Sequence, residues 1–413
     1  MSAYIWISFS PVADHTLKFY NTDEDIVNWL SAVFIITTIV FGLPAIFIVD
    51  YFGVRVVIIF SSFFLFICGI FRVITSSFLP FHSNNIKIAL LFVGQISASF
   101  SQPLLMFLPT KLAFVWFPDR QRTIANTIGS LGNPLGVLLG SGLVPIIVQS
   151  FEDIPLLNWI TFSITCVGPF LALITIFHDR PKIPPSIAAY IVEEKRSAYS
   201  HSGFSFTRTI RIYGEYILQA LRVPGFIILW ISFSTALAYF TVFSALAQQI
   251  LCAKGYSDKF AGLVGSLMII CGLIGAAISA IIMDRTGKLK EMIKICYCLA
   301  ILGEAGLSTL LFIPKMAAGI LVFSCWLGTF GFAQYSVILE AAAEATYPVP
   351  ESITTGLLIV GSQILSLVFL PMLQAVSPYL DESSFEAFSP TCGQASHPKV
   401  CSIYSICYYE LGF

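Results

Sequence analysis

Apolar residues in this chain run in long, nearly unbroken blocks. They lack both the strict alternation of a half-buried strand and the one-sided spacing of a surface helix. A helix that crosses the hydrocarbon core needs about 20 mostly apolar residues in a row. Ten segments meet that length: Ile26–Val49, Val56–Thr75, Ile88–Thr110, Thr123–Ser150, Ile154–Phe177, Val223–Ala253, Phe260–Met283, Ile295–Pro314, Met316–Leu339 and Ser352–Leu380. Arg72 interrupts the second and Glu304 the eighth, and the rest carry no charge. An eleventh block, Ala3–Ala13, is too short to cross alone. The pattern predicts an all-α polytopic membrane protein.

Composition strengthens that reading. Of 413 residues, 57% are hydrophobic and 11% charged, with mean hydropathy +0.85. Soluble domains carry about 25% charged residues. A net charge of -1 gives no electrostatic footprint for a nucleic acid. The ten cysteines include no CxxC pair, and seven lie in or beside apolar blocks as small core residues. Cys392 and Cys401 lie in a polar tail and are expected to pair.

Lys and Arg set the orientation. If the loop after Val49 is cytosolic, that side holds fifteen of the 22 basic residues and the other side holds six. Arg72 lies within a span, near its outer end, where a long basic side chain is expected to snorkel outward. The charged, Pro-containing stretch 178–222 reads as a cytosolic linker, within which Thr207–Leu221 has the pattern of an amphipathic helix. The expected organisation is a bundle over 1–177, the linker 178–222, a second bundle over 223–380 and a non-cytosolic polar tail over 381–413.

Two marks repeat. Asp50-Tyr51-Phe52-Gly53-Val54-Arg55 closes one span and Asp284-Arg285-Thr286-Gly287-Lys288 another. Phe117-Pro118 and Tyr347-Pro348 follow downstream, each pair about 230 residues apart, as duplicated parallel halves require. A carboxylate at a helix end can cap the positive start of a facing helix. Asp50 is thus expected to face the start of Ser352–Leu380, and Asp284 the start of Thr123–Ser150. Gly53 and Gly287 permit the tight turns, and Arg55 completes the motif. Such pairs would latch the cytosolic side. The alternative is an ordinary charged turn.

These residues resemble the major facilitator loop signature. The wider string resembles solute carrier family 49, the feline leukaemia virus subgroup C receptor-related proteins. The resemblance rests on Trp6–Asp14, Asn28–Ser31, Gly42–Arg55, Gly94-Gln95 with Ser101–Pro118, Gln249–Gly255, and Ala345–Pro348 with Thr354–Gly356. It implies a major facilitator fold, two pseudo-symmetric six-helix bundles around a midplane site. Against that pattern 10–11 spans are expected here, with the first helix shortened and a twelfth missing.

Polar groups inside a bilayer are costly and are read first as functional. At about 1.5 Å per residue, Trp6 lies about 12 Å below the outer surface, Gln102 about 12 Å and Gln363 about 16 Å from the cytosolic side. The resemblance implies that Trp6 and Gln363 match a Trp and a Gln with which choline-binding members hold substrate. The second Gln of those members falls at Pro134 here, and Gln102 enters on depth alone. An indole face attracts a cation, and a glutamine oxygen accepts from a hydroxyl. The alternatives are an interfacial anchor for Trp6 and helix-to-helix bonds for the glutamines. Glu340 and Glu344, one turn apart near a cytosolic helix end, are candidate gate residues or partners of the basic loops. Gly132, Gly136 and Gly140 have the small-x-x-x-small spacing of close helix packing.

The expected function is transport of a small organic solute by alternating access, a choline-like cation or haem. A non-transporting receptor, or an inactive partner of a longer carrier, is the alternative. No HExxH or GxSxG string occurs, so no enzyme is expected. No cofactor or metal is called for. The expected partners are the solute and the lipid bilayer, with no nucleic acid.

Overall fold

Inside a bilayer the backbone finds no water, so each spanning segment must satisfy its own polar groups, and a helix does so. The computed structural model describes residues 1–78, 84–118, 125, 128–176, 178–179, 181, 185, 206–252, 256–286, 288–311, 313, 316–346 and 349–376. Among these there is no strand. The helices are α1 (Ser2–Ile7), α2 (Ala13–Tyr20), α3 (Glu24–Phe52), α4 (Val54–Val73), α5 (Asn84–Trp116), α6 (Gly132–Ile147) and α7 (Ile154–Thr175). They continue as α8 (Phe206–Leu221), α9 (Pro224–Cys252), α10 (Asp258–Thr286), α11 (Leu289–Leu311), α12 (Ala317–Ala345) and α13 (Glu351–Val376). Among the described residues ten helices are long and apolar enough to cross a membrane, one in each of the ten blocks. The protein is an integral, multi-pass membrane protein.

Two sets of helices pack within themselves. In the first, α4 lies on α5 and α7, α3 on α5, and α1 on α6; in the second, α10 and α11 lie on α12 and α9 on α13. Across the seam α3 meets α13, and α6 meets α10. The repeat pairs α3 with α10 and α6 with α13, so these two contacts exchange under it, as pseudo-symmetry requires. Small residues allow the approach. A Cβ on Gly42 of α3 would lie 2.8 Å from Val360 of α13, and one on Gly262 of α10 would fall on the Ser141 carbonyl of α6. Outside the seam, large side chains such as Val40, Phe170, Ile228, Leu302 and Val322 stay exposed. Lipid suits such a surface, and water does not.

The amphipathic segment of the linker forms α8. Tyr213, Tyr216, Ile217 and Leu221 pack against the buried core, while Arg211 and Glu215 pair at 3.2 Å on the exposed face. Residues 381–413, including Cys392 and Cys401, lie outside the described residues, as do residues 186–205.

Arg72 corrects a sequence expectation. It does not snorkel: the side chain is 0% exposed and turned inward. The helical stem could have reached outward, but the guanidinium finds hydrogen-bond acceptors inside the first bundle that lipid lacks.

Candidate functional site

The first helix is broken where the site is expected. α1 ends at Ile7, a short 3-10 turn spans Ser10–Val12, and α2 resumes at Ala13. Pro11 explains the break, because it has no N–H to return to the Ile7 carbonyl. Asn21 then closes α2 in the left-handed conformation, its N–H bonded to the Leu17 carbonyl.

α1 is seated by glycines of α6. A Cβ on Gly136 would lie 3.1 Å from Ala3, and one on Gly140 would fall on Ile7. The small-x-x-x-small stripe therefore packs the first helix, and nothing lies near Gly132.

Trp6 is 8% exposed, and its indole N–H is buried with no hydrogen-bond partner. It belongs to an apolar cluster that holds residues of both bundles, Ile5 and Val137 from one and Ile269 from the other. It is not an interfacial anchor. Ser2 donates its hydroxyl hydrogen bond to the Gln102 side-chain oxygen. Ser2 and Trp6 are one turn apart, so that bond lies on the stripe of α1 that carries Trp6. The structure thus brings Trp6 and Gln102 to one face of the first helix.

Gln363 is half-buried on α13. It follows Gly356 and Val360 at helical spacing, and those two residues touch Ile46 and Gly42 of α3. That stripe faces the first bundle. Among the described residues no hydrogen bond joins Gln363 to Trp6 or Gln102.

The other expected site residues divide as follows. Asp50 and Asp284 each stand two residues before the end of a helix, α3 and α10 respectively, and their side chains lie outside the described residues. Gly287 and the Glu340 side chain do so as well. Glu344 is exposed. Gly53 takes φ 84 and ψ 176, a region open essentially to glycine alone. Arg55 is exposed, and its backbone N–H donates to Asp179 at 3.1 Å.

A polar seam on the side opposite the basic loops was not foreseen. Gln249 of α9 donates to the Asn28 side-chain oxygen of α3 at 3.0 Å, across the two bundles. Its neighbour Gln248 donates to Asp258 at 3.0 Å, and His15 lies 3.7 Å from the same carboxylate. Asp14 stands on α2 beside them. Burial pushes its carboxyl up to about 6, Asp258 adds to the rise, and the Gln248 amide and Lys18 oppose it. The available signal was the clustering of Asn28, Gln248, Gln249 and Asp258 at outer helix ends, which no charge count weighs. A small cavity beneath this seam is lined by Pro11, Ser141, Phe243, Gln248, Gly262 and Met268.

On the basic side the seam is apolar instead. Ile46 and Val49, Phe107, Ile338, Ile353 and Leu357 form one buried cluster drawn from both bundles. Trp230 donates to the Leu357 carbonyl at 2.8 Å beside it. The two ends of the seam thus differ, hydrogen-bonded amides on one side and apolar packing on the other.

Residues 1–373 match the Major Facilitator Superfamily. The chain belongs to the major facilitator superfamily. It is 35% identical over 379 residues to solute carrier family 49 member A3 of Xenopus tropicalis, covering 91% of this chain and 75% of that protein. Against the Danio rerio member A3 the identity is 34%, covering 91% and 76%. Within the superfamily it is therefore a member of solute carrier family 49. Lower similarity, 26% over 375 residues, links it to the choline/ethanolamine transporter flvcr2b of Danio rerio, covering 89% and 73%. Among solved structures, the partially occluded, inward-open xylose transporter XylE from E. coli superposes with TM-score 0.64. It covers 98% of this chain and 92% of that one at 14% identity, which speaks to the fold alone.

Proposed function

We propose that this chain carries a small organic solute by alternating access, and that the solute is a choline-like cation held against Trp6. The observation that carries the proposal is the Trp6 indole itself, buried among residues of both bundles with its N–H unpartnered. An indole face attracts a quaternary ammonium without hydrogen bonds. The free N–H suits a solute that also brings an acceptor, as the hydroxyl oxygen of choline does. Gln102, bonded to Ser2 on the Trp6 stripe, and Gln363 on the facing bundle supply dipoles. The choline/ethanolamine transporter relatives support this substrate class. Haem offers porphyrin carboxylates to the N–H but gives the π face no cation to bind.

Asp50 and Asp284 are proposed as latches that cap facing helices on the basic side, with Glu340 and Glu344 as gate acids near the same end. Gly53 has an added duty in this scheme, because it leaves room for the Asp179 carboxylate at the start of α4.

The test is uptake of radiolabelled choline into proteoliposomes that contain the purified chain. Trp6→Ala should reduce apparent affinity more than Trp6→Phe, which keeps a π face. A cation–π contact away from water is worth about 2 kcal/mol, or more than about tenfold in affinity. Equal loss in both variants would assign Trp6 to shape or N–H donation. No uptake by the unmodified chain would reject transport of choline.

A further inference from the structure

Arg72 is a full positive charge with no water contact, inside a helix bundle, and among the described residues no carboxylate pairs with it. A group so costly to bury needs several strong acceptors to hold it. Those it has come mostly from the break in the first helix. One terminal nitrogen donates to the Ser8 hydroxyl at 2.8 Å. The other donates to the Ile5 carbonyl at 3.0 Å and to the Gln95 side-chain oxygen at 3.1 Å. The guanidinium carbon lies 4.2 Å from the Phe9 ring centre, stacked on the residue that follows Ser8. Ser8 in turn donates to the same Ile5 carbonyl at 3.0 Å.

The geometry of this clamp has a direct consequence for Trp6. The Ile5 carbonyl and the Trp6 N–H belong to one planar peptide unit. A fork that fixes the oxygen fixes the plane from which the Trp6 side chain departs. The helix ends at Ile7, so the Ile5 carbonyl lies in its last turn, where the helix supplies no partner of its own. The rigid, planar guanidinium presents its donors in a fixed fork, whereas an ammonium is a rotatable point charge that does not set their angle. Gln95, also buried, anchors the fork to α5, the helix that carries Gln102. Binding sites gain affinity when their contacts are held in place beforehand.

We propose that Arg72 is a positioning residue: through the Ile5 carbonyl and Ser8 it locks the broken first helix and sets the angle of the Trp6 indole. Its bearing on solute binding rests on the reading of Trp6 given above, whereas its geometry does not.

The experiment labels the whole protein with 5-fluorotryptophan and records fluorine NMR in detergent micelles. The chain has six tryptophans, so five lines serve as internal controls. Trp6→Phe identifies the Trp6 line by its loss. In Arg72→Gln the Trp6 line should shift or broaden while the other five stay within their linewidths. Arg72→Lys keeps the charge but lacks the fork, so it should displace the same line. If Arg72→Gln does not fold, Ser8→Ala removes one arm of the clamp and should move the Trp6 line by a smaller amount. An unmoved Trp6 line in the folded Gln or Ala variant would overturn the proposal. So would a wild-type line in Arg72→Lys, which would leave charge alone at work, or displacement of all six lines, which would mean general loosening. Choline binding to the same samples separates the two readings. If wild-type protein binds choline, Arg72→Gln should weaken it at least several-fold. If wild-type protein does not bind choline while the Trp6 line still moves, the substrate reading fails and the positioning role stands.

Discussion

Gly53 and Asp179 share one corner of the fold: the Asp179 carboxylate accepts from the first turn of α4 just where a methyl group on Gly53 would lie. The position has φ 84 and ψ 176, so it excludes other residues twice over, by backbone conformation and by space. Gly53→Ala should lower stability by about 1–3 kcal/mol, read as a fall in melting temperature of the purified protein. Asp179→Ala removes the acceptor at the positive helix start and should cost about 0.5–2 kcal/mol, whereas Asp179→Asn should cost less. An unchanged melt for Gly53→Ala would refute the arrangement.

The outer seam should respond to pH through Asp14. Its carboxyl is pushed up to about 6 in the packed seam, above the ordinary value of about 3.9. The folded state therefore holds the proton more tightly than the unfolded chain. That stabilisation is fully present below about pH 4 and is lost as pH rises through about 6. Thermal melts should show a decline of about 1–2 kcal/mol between pH 5 and 7 from this group. Asp14→Asn should flatten it, and an identical slope in the variant would count against the assignment.

Asn28 and Gln249 form a cross-bundle hydrogen bond, so their effects should not add. A double-mutant cycle with Asn28→Ala and Gln249→Ala should return a coupling of about 0.5–1.5 kcal/mol. A coupling near zero would mean that the two amides are not paired in solution.

Gly262 tests the seam between α6 and α10. A valine there would push into the Ser141 carbonyl and Pro145. Overpacking of this kind costs about 1–3 kcal/mol. Gly262→Val should therefore lower the melting temperature, while Gly225→Val, at a glycine with nothing within 4 Å, should be better tolerated in packing terms. Equal effects from both would show that helix propensity, not the seam, sets the cost.

Much of the fold could be read from the sequence, because the bilayer leaves the chain so little choice. A long apolar block has one common way to satisfy its backbone among lipid tails, and each of the ten blocks holds a helix among the described residues. The duplicated acid-and-glycine marks anticipated the paired halves, since α3 and α10 end just beyond Asp50 and Asp284. Pro11 carries the signal for the break in the first helix, which a count of apolar length passes over. Gln102 entered as a candidate on depth alone, because depth along a helix follows directly from residue count, and Trp6 entered on depth together with the family resemblance.

Direction around the helix axis was decided by tertiary packing. Counting residues placed Arg72 near an outer end and within reach of the surface, but the fold turned it toward Ile5, Ser8 and Gln95, acceptors distant in sequence. Gly53 looked like a turn residue, and only the return of Asp179 gave its lost side chain a second purpose. Asn28 with Gln249, and His15 with Asp258, are ordinary polar residues until two bundles meet. The sequence by itself determined that the chain enters a membrane, how many helices do so and where they repeat. Those properties depend on local composition against a uniform solvent. Which polar groups pair depends on contacts between segments far apart in the chain, so it was settled only when the bundles packed.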